Sequence, residues 1–121
     1  MADHTEDFGV VAYIDGGSRG NPGPAGAGVV LLAEDDGTEL YAGGLFLGPT
    51  TNNVAEYRGL LAALEAAARL GAARVRVYSD SELMVRQMTG VYRVKKDHLR
   101  ELRDRAAELA EGFAGFAIEH V

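Results

Sequence analysis

The stretch "AYIDGGSRGNPGPA" (residues 12–25) joins a hydrophobic run to a segment rich in turns through one carboxylate, Asp15. The five residues before Asp15 are apolar or aromatic and predict a β-strand over 10–15, while the glycines and prolines after it predict sharp turns. An Asp in such a place often only opens a turn, because its side chain accepts hydrogen bonds from nearby backbone N–H groups. The alternative is a functional carboxylate, and the choice depends on residues elsewhere in the chain.

Composition limits the class of protein. The 121 residues are 47% hydrophobic, which is enough for one domain with its own core. No apolar run is long enough to span a membrane, and the polar stretch "MADHTEDFG" does not resemble a signal peptide, so we expect a cytoplasmic protein with a disordered tail over 1–8. Cysteine is absent, which excludes disulfides and thiolate metal sites and leaves carboxylate, His or carbonyl ligands for any metal.

Charge is distributed unevenly along the chain. The formal net charge is −6, which by itself argues against a nucleic-acid partner. Residues 69–105, however, carry ten basic and five acidic side chains, and "YRVKK" (92–96) is the densest basic point. Such a cluster is either a solvated helix surface or a contact surface for phosphates.

Hydrophobic periodicity predicts an α/β order of elements. The glycine at 71 and the alanine-rich helical spacing make the first helix the strongest of them. A strand–helix–strand passage across that helix implies a right-handed crossover, hence parallel pairing of the first and fourth strands. The predicted elements are a strand over 10–15, a hairpin of strands 27–33 and 39–47 around "EDDG" (34–37), a helix over 50–71, a strand over 73–80, helices over 81–90 and 97–112, and a strand over 115–121.

Two further carboxylates occupy unusual places. Glu56 shares the inward stripe of the strong helix with Leu60 and Leu64, where an acid is costly without a partner. The alternative is a capping box in which Asn53 is the N-cap and Glu56 folds back on it. Asp80 ends a strand and precedes a helix, so it is either a plain N-cap or a functional acid.

The predicted topology brings these acids together. Asp15 and Asp80 end neighbouring parallel strands, at the edge where such sheets bind ligands, and Glu56 begins the helix that crosses over them. Converging carboxylates repel one another unless a cation holds them. With hard oxygen ligands and no cysteine, Mg²⁺ or Mn²⁺ is the natural ion, and a pair of such ions drives in-line phosphodiester cleavage.

Three stretches resemble the motifs of type 1 ribonuclease H: "DGGSRGNPGPAGAG", "TNNVAEYRGLLAALE" and "YSDSELMVRQM", with the trailing "HV" similar to the start of the last motif. The resemblance is to the short archaeal and actinobacterial forms without the basic protrusion, and in actinobacteria these are often fused to another domain. It implies a ribonuclease H-like α/β fold over 9–121, with a mixed five-stranded sheet of three antiparallel strands plus parallel strands, flanked by helices. A fused C-terminal domain outside these residues is one alternative, and we expect a monomer.

The resemblance implies an endonuclease that hydrolyses the RNA strand of RNA/DNA hybrids with two metal ions, Mg²⁺ or Mn²⁺, and leaves 5′-phosphates. The alternatives are an inert hybrid-binding domain and a DNA-directed nuclease on the same fold. The catalytic and metal-binding residues that it implies are Asp15, Glu56 and Asp80. Asn21, Asn52 and Asn53 match residues that read the minor groove of the hybrid, and Thr51 matches one that grips a phosphate. The remaining substrate-binding candidates are Gly16, Ser81, Arg93, Lys95 and Lys96.

One family feature has no counterpart in these residues. The resemblance implies a fourth carboxylate, an Asp on a helix that follows "HV" and closes over the sheet. No residue of the sequence matches it, so we expect the domain to lack its C-terminal helix here and the native chain to continue past Val121.

Overall fold

The computed structural model describes residues 8–121. Most of the predicted tail lies outside the described residues, but Phe8 packs against the core, and its carbonyl accepts a hydrogen bond from Ala73 N. No helix in this described range is both long and apolar enough to cross a lipid bilayer. The elements are β1 (Gly9–Ser18), β2 (Gly23–Ala33), β3 (Glu39–Thr50), α1 (Asn52–Arg69), β4 (Arg74–Ser79), α2 (Glu82–Met88), α3 (Asp97–Glu111) and β5 (Gly115–His120).

The strands form one mixed sheet in the order β3-β2-β1-β4-β5. β1, β2 and β3 pair antiparallel, whereas β4 pairs parallel with both β1 and β5. The predicted mixed sheet and the parallel pairing of the first and fourth strands are therefore confirmed. The hairpin turn also lies where "EDDG" predicts it, with Gly37 in the left-handed region at φ +75° and its N–H donating to Ala33 O.

The strand β1 is longer than the predicted 10–15. Its pairing with β4 ends at Ile14, but its pairing with β2 continues as far as Ser18 opposite Ala25. The glycines that predict a turn instead extend the antiparallel ladder, because β2 supplies backbone partners on that side. The chain reverses only over residues 19–22.

The core lies between one face of the sheet and α1. Leu60, Leu64 and Ala67 are fully buried, as their helical spacing predicts. Burying each leucine stabilises the fold by about 1.5–3 kcal/mol. Gly59 allows this close packing, because a Cβ there would lie 3.3 Å from the Ala27 side chain of β2. Gly71, at φ +78°, ends the helix as predicted.

The last helix, α3, covers the outer side of α1. Leu99 and Ala106 are buried and Leu102 and Leu109 are partly buried against the core, which confirms the predicted apolar stripe. This packing places the segment before α3, with its lysines, beside the beginning of α1.

Candidate active site and nucleic-acid groove

Sheet register places Asp15 and Asp80 side by side. The last residue pair of the β1–β4 ladder is Ile14 opposite Ser79. Asp15 directly follows Ile14, and Asp80 directly follows Ser79. Asp15 does not open a turn, since it lies inside β1 opposite Gly28 of β2. Both acids are exposed. They lie beyond the carboxyl end of the parallel pairing, where ligands of such sheets bind.

Gly16 brings the third acid to the same place. A Cβ on Gly16 would lie 2.7 Å from the Ala55 carbonyl and 2.8 Å from Glu56 N, so β1 and the first turn of α1 are in backbone contact. This contact places Glu56 directly beside the residue that follows Asp15. Glu56 itself is half-buried. The inward position that its helical spacing predicts therefore lies at the edge of the core.

The electrostatics of Glu56 reflect these neighbours. Burial raises the pKa of Glu56, and the nearby carboxylates of Asp80 and Asp15 raise it further, while a hydrogen bond from the Ser81 side chain opposes the rise. No Lys, Arg or His within residues 8–121 forms an ion pair with any of the three acids. The three acids therefore share one electrostatic environment with no cationic partner from the described chain.

The N-caps of α1 and α2 are not the residues that the sequence offered as alternatives to a catalytic role. The N-cap of α1 is Thr51, whose hydroxyl accepts from Val54 N at 3.3 Å, so the capping box of Asn53 and Glu56 is wrong. The N-cap of α2 is Ser81, whose hydroxyl accepts from Met84 N at 3.1 Å, so Asp80 is not a plain N-cap. In both cases a hydroxyl one or two residues away is the better-placed acceptor, and the acids are left without a capping role.

The carboxylates are neighbours but do not form a ready-made metal cage. Within residues 8–121, no group of three or more His, Cys, Asp or Glu side chains is arranged to hold a metal ion. The roles of Asp15, Glu56 and Asp80 as metal ligands accordingly stay predictions.

One groove of about 760 Å³ collects most of the other candidates. It lies between the beginning of α1, α2 and the segment before α3. Gly16 and Asp15 line a different depression, of about 690 Å³, over the glycine-rich parts of β1, β2 and β3. The candidates that line the larger groove are Asn21, Thr51, Asn52, Asn53, Glu56, Ser81, Arg93, Lys95 and Lys96.

Two of the three asparagines are partly used to hold the groove together. Asn52 Oδ1 accepts from Ser18 N at 2.6 Å and from the Ser18 hydroxyl at 3.2 Å. Asn21 Oδ1 accepts from Asn52 N at 2.9 Å. These bonds tie the end of β1 and the turn after it to the start of α1. They leave the NH₂ groups of both amides without a protein acceptor among the described residues.

The basic side of the groove is shaped by Arg100. Its guanidinium donates to Val94 O at 3.4 Å, to Lys95 O at 3.2 Å and to Asp97 Oδ1 at 3.2 Å. These bonds hold the backbone of the segment that carries Arg93, Lys95 and Lys96, whose residues are exposed. The side chains of these three residues therefore stand exposed on a backbone that Arg100 holds in place.

Gln87 was not among the residues predicted from the sequence, but it lines the same groove and is 6% exposed. Its Oε1 accepts from the Tyr57 hydroxyl at 2.8 Å and from Asn53 Nδ2 at 3.5 Å. A signal was present, since Gln87 lies three residues after buried Met84 and so falls on the apolar face of α2. His98 also lines the groove and has no sequence motif to indicate it.

Comparison with known proteins agrees with this architecture. Residues 13–121 match the family model described as reverse transcriptase-like. The chain is 48% identical to ribonuclease HI of Halobacterium salinarum over 93% of its length and 56% of the relative's. It is also 48% identical to a bifunctional protein of Mycobacterium tuberculosis, of which it spans 31%. The chain therefore spans 56% of the first of these relatives and 31% of the second.

Solved structures give the same result. The crystal structure of RNase H1 from Halobacterium salinarum matches with a TM-score of 0.88, over 93% of this chain and 85% of that chain. The N-terminal RNase H domain of the Mycobacterium tuberculosis protein matches with a TM-score of 0.91, over 94% and 82%. LC11-RNase H1, solved in complex with an RNA/DNA hybrid, is 42% identical and matches with a TM-score of 0.85, over 93% and 84%. The chain therefore belongs to the ribonuclease H family.

Proposed function

We propose that this domain binds RNA/DNA hybrids and hydrolyses their RNA strand endonucleolytically, with 5′-phosphate products. The observation that carries the proposal is a single groove in which Glu56 lies among side-chain amides on one wall and basic residues on another. Amides suit the edges of bases and ribose hydroxyls in a shallow minor groove, and lysine and arginine suit phosphates. The structure of LC11-RNase H1 with a hybrid supports the same substrate class by relationship.

The acids fit a hard divalent cation. Asp15, Glu56 and Asp80 offer only carboxylate oxygens, the donors that Mg²⁺ and Mn²⁺ prefer, and none of them is paired with a described basic side chain. Burial raises the pKa of Glu56 most, repulsion from Asp80 and Asp15 adds to the rise, and a bound cation would relieve that repulsion. When bound, such ions lower the pKa of water and stabilise charge on the oxygens of the phosphodiester.

The remaining work falls to the groove. Arg93, Lys95 and Lys96 hold the backbone of the hybrid through its phosphates, and these contacts position without reading sequence. Asn21 and Asn52, whose NH₂ groups have no described protein acceptor, donate to the strands in the minor groove. Glu56, which lines this groove and lies beside the end of the β1–β4 ladder, would be a ligand of the cation that faces the reacting phosphate.

An inert hybrid-binding domain and a DNA-directed nuclease are the two alternatives to this proposal. Cleavage of an end-labelled hybrid, beside matched double-stranded RNA and DNA, with Mg²⁺ or Mn²⁺, tests both. We expect products only from the RNA strand of the hybrid. Tight hybrid binding with no cleavage in either metal would favour the inert domain, and cleavage of DNA would favour the DNA-directed nuclease.

The cytoplasmic location, the monomeric state and a fused C-terminal domain stay predictions. The Mycobacterium tuberculosis relative is named bifunctional, and this chain spans 31% of it. That relationship supports the expectation of a partner domain in the full protein.

A further inference from the structure

The groove continues beyond its wall into a shallow side furrow. The furrow consists of two neighbouring depressions, of about 380 and about 300 Å³, between β3, α1 and α3. His98 lines both the groove and the first depression, and Arg58, Leu61 and Arg105 line both depressions. The two depressions are therefore one surface feature, and it begins where the groove ends.

The helices α1 and α3 both begin at the groove, and each carries an arginine farther along the furrow. Arg58 follows the groove residue Thr51 by seven positions, and Arg105 follows His98 by seven. Seven residues of an α-helix are almost two full turns and advance by about 10.5 Å, so each arginine lies on the same helix face as the groove residue before it. Since a nucleic-acid strand advances by about 3.4 Å per nucleotide, about three nucleotides bridge this distance.

The two arginines have different partners. Arg58 is exposed and forms no ion pair within residues 8–121. Arg105 Nη2 lies 3.4 Å from Glu65 Oε2, but these side chains are 66% and 44% exposed, and such a pair adds little stability. Arg58 therefore offers a free guanidinium to a ligand, and Arg105 offers one for which an anion in the furrow can compete.

The floor of the furrow is apolar. Val54, Leu61 and Leu102 line the first depression, between the arginines and the groove. A nucleic-acid backbone presents charged phosphates and the less polar faces of its sugars, and guanidinium groups bind phosphates with two parallel hydrogen bonds. A furrow with a cationic rim and an apolar floor, continuous with a basic groove, therefore suits a sugar–phosphate backbone.

We propose that the side furrow binds the backbone of one strand of the hybrid beyond the groove, with Arg58 as the first phosphate contact and Arg105 as the second. This inference rests on the proposed binding of RNA/DNA hybrids and lengthens the bound segment by about three nucleotides. These contacts add affinity without reading sequence, because they are made to phosphates.

The first test compares a short hybrid with a long one. Dissociation constants for hybrids of about 8 and about 20 base pairs are measured in EDTA at low salt for the wild type and Arg58→Gln. We expect Arg58→Gln to raise the Kd of the long hybrid about 3- to 10-fold, to flatten its salt dependence by about one unit, and to change the Kd of the short hybrid less than about twofold. Arg69→Gln removes the same charge at the far end of α1, outside both depressions, and is the matched control that leaves both constants unchanged.

Glu101 gives a change of the opposite sign. It lines the first depression and forms no ion pair in the described part of the chain, so its carboxylate repels a phosphate there. We expect Glu101→Gln to lower the Kd of the long hybrid about 2- to 5-fold, because that repulsion is removed. Glu111→Gln, at the end of α3 and outside both depressions, is the control without this gain. A gain of affinity does not result from a damaged fold.

Two results would overturn the inference. In the first, Arg58→Gln binds the long hybrid as well as Arg69→Gln does, which would leave the furrow to a protein partner. In the second, Arg58→Gln loses equal affinity for both lengths, which would place Arg58 within the groove. A wild type that binds neither hybrid would instead contradict the proposed function, so the two failures are distinguishable.

A second measurement locates the contact on the nucleic acid. Single phosphates of the long hybrid are replaced, one at a time, by uncharged methylphosphonates, and the Kd is measured for the wild type and Arg58→Gln. We expect a position that weakens binding of the wild type but not of Arg58→Gln, about three nucleotides beyond the last position to which both proteins are sensitive. If every replacement weakens both proteins equally, Arg58 contacts no phosphate and the inference is wrong.

Discussion

Gly16 and Ala55 are in backbone contact: a Cβ on Gly16 would lie 2.7 Å from the carbonyl carbon and oxygen of Ala55. The contact joins the C-terminal part of β1 to the first turn of α1. It is the reason that Asp15 on the strand and Glu56 on the helix are neighbours, although they are far apart in sequence. A glycine is required at this position because the helix leaves no room for a side chain.

Replacing Gly16 by alanine therefore disturbs both the fold and the site. We expect Gly16→Ala to lower the free energy of unfolding by about 1–3 kcal/mol, because β1 and α1 have to separate to admit a methyl group. Gly17→Ala is the matched control, since a Cβ there lies 3.6 Å from Asn52 Oδ1, an ordinary contact. Urea unfolding of the two variants checks this, and equal stability of both would contradict the assigned contact.

The raised pKa of Glu56 predicts how stability depends on pH without metal. The folded protein holds the Glu56 proton more tightly than the unfolded chain, so stability falls as pH rises from the ordinary value of 4.5 through the raised value. We expect Glu56→Gln to melt at a higher temperature than the wild type at pH 7 in EDTA, and the difference to close below about pH 4, where the acid is protonated. Exposed Glu101→Gln is the control without such a difference. A Glu56→Gln variant that is no more stable at pH 7 would show that burial of this carboxylate carries no cost.

Asp15→Asn and Asp80→Asn test the catalytic assignment. Each change removes a charge from a predicted metal ligand and keeps the side-chain size, so we expect hybrid cleavage to fall by at least about 100-fold while the circular dichroism spectrum is retained. Asp35→Asn, an exposed acid in the turn between β2 and β3, is expected to cleave like the wild type. Cleavage at the wild-type rate in both site variants would remove these acids from the mechanism.

Two substitutions of Asn52 distinguish its structural role from its predicted role in binding the hybrid. Asn52→Ala removes the acceptor for Ser18 N and its hydroxyl, and we expect a loss of stability of about 1–3 kcal/mol. Asn52→Asp keeps that acceptor, removes the NH₂ donor and adds a negative charge. We expect its thermal melt to stay near that of the wild type while its hybrid affinity falls. The added charge weakens binding to any nucleic acid, so the affinity for a DNA duplex of the same sequence is measured as well. Equal losses of affinity for the hybrid and for DNA would argue against a specific contact.

Lys95 and Lys96 are predicted to contact phosphates. Neutralising both to glutamine is expected to flatten the dependence of log affinity on log salt concentration by up to about two units, because fewer counterions are released on binding. Arg69→Gln, at the far end of α1, is the control and leaves the slope unchanged. An unaltered slope in the double variant would show that the lysines are only a solvated surface.

The sequence alone determined the elements and their arrangement. Strand alternation, the helical spacing of Leu60 and Leu64 and the glycine at 71 are local patterns, and the crossover rule converts them into a mixed sheet with parallel first and fourth strands. The same patterns indicated Asp15, Glu56 and Asp80 as functional candidates, because each is an acid at the boundary of an element or on an apolar face. The amides that line the groove were predicted from the resemblance to type 1 ribonuclease H, and the lysines from the uneven charge along the chain.

Only the tertiary structure decided how these side chains are used. The Ser18–Asn52 bond joins residues 34 apart and the Tyr57–Gln87 bond joins residues 30 apart, and no local period relates such pairs. The same holds for the contact of Gly16 with Ala55, which depends on how closely α1 crosses β1. Which hydroxyl caps a helix, which amide oxygen is already occupied and which buried atom remains unpaired all follow from packing at distances of 2.6–3.5 Å, and folding sets these only after the elements have met.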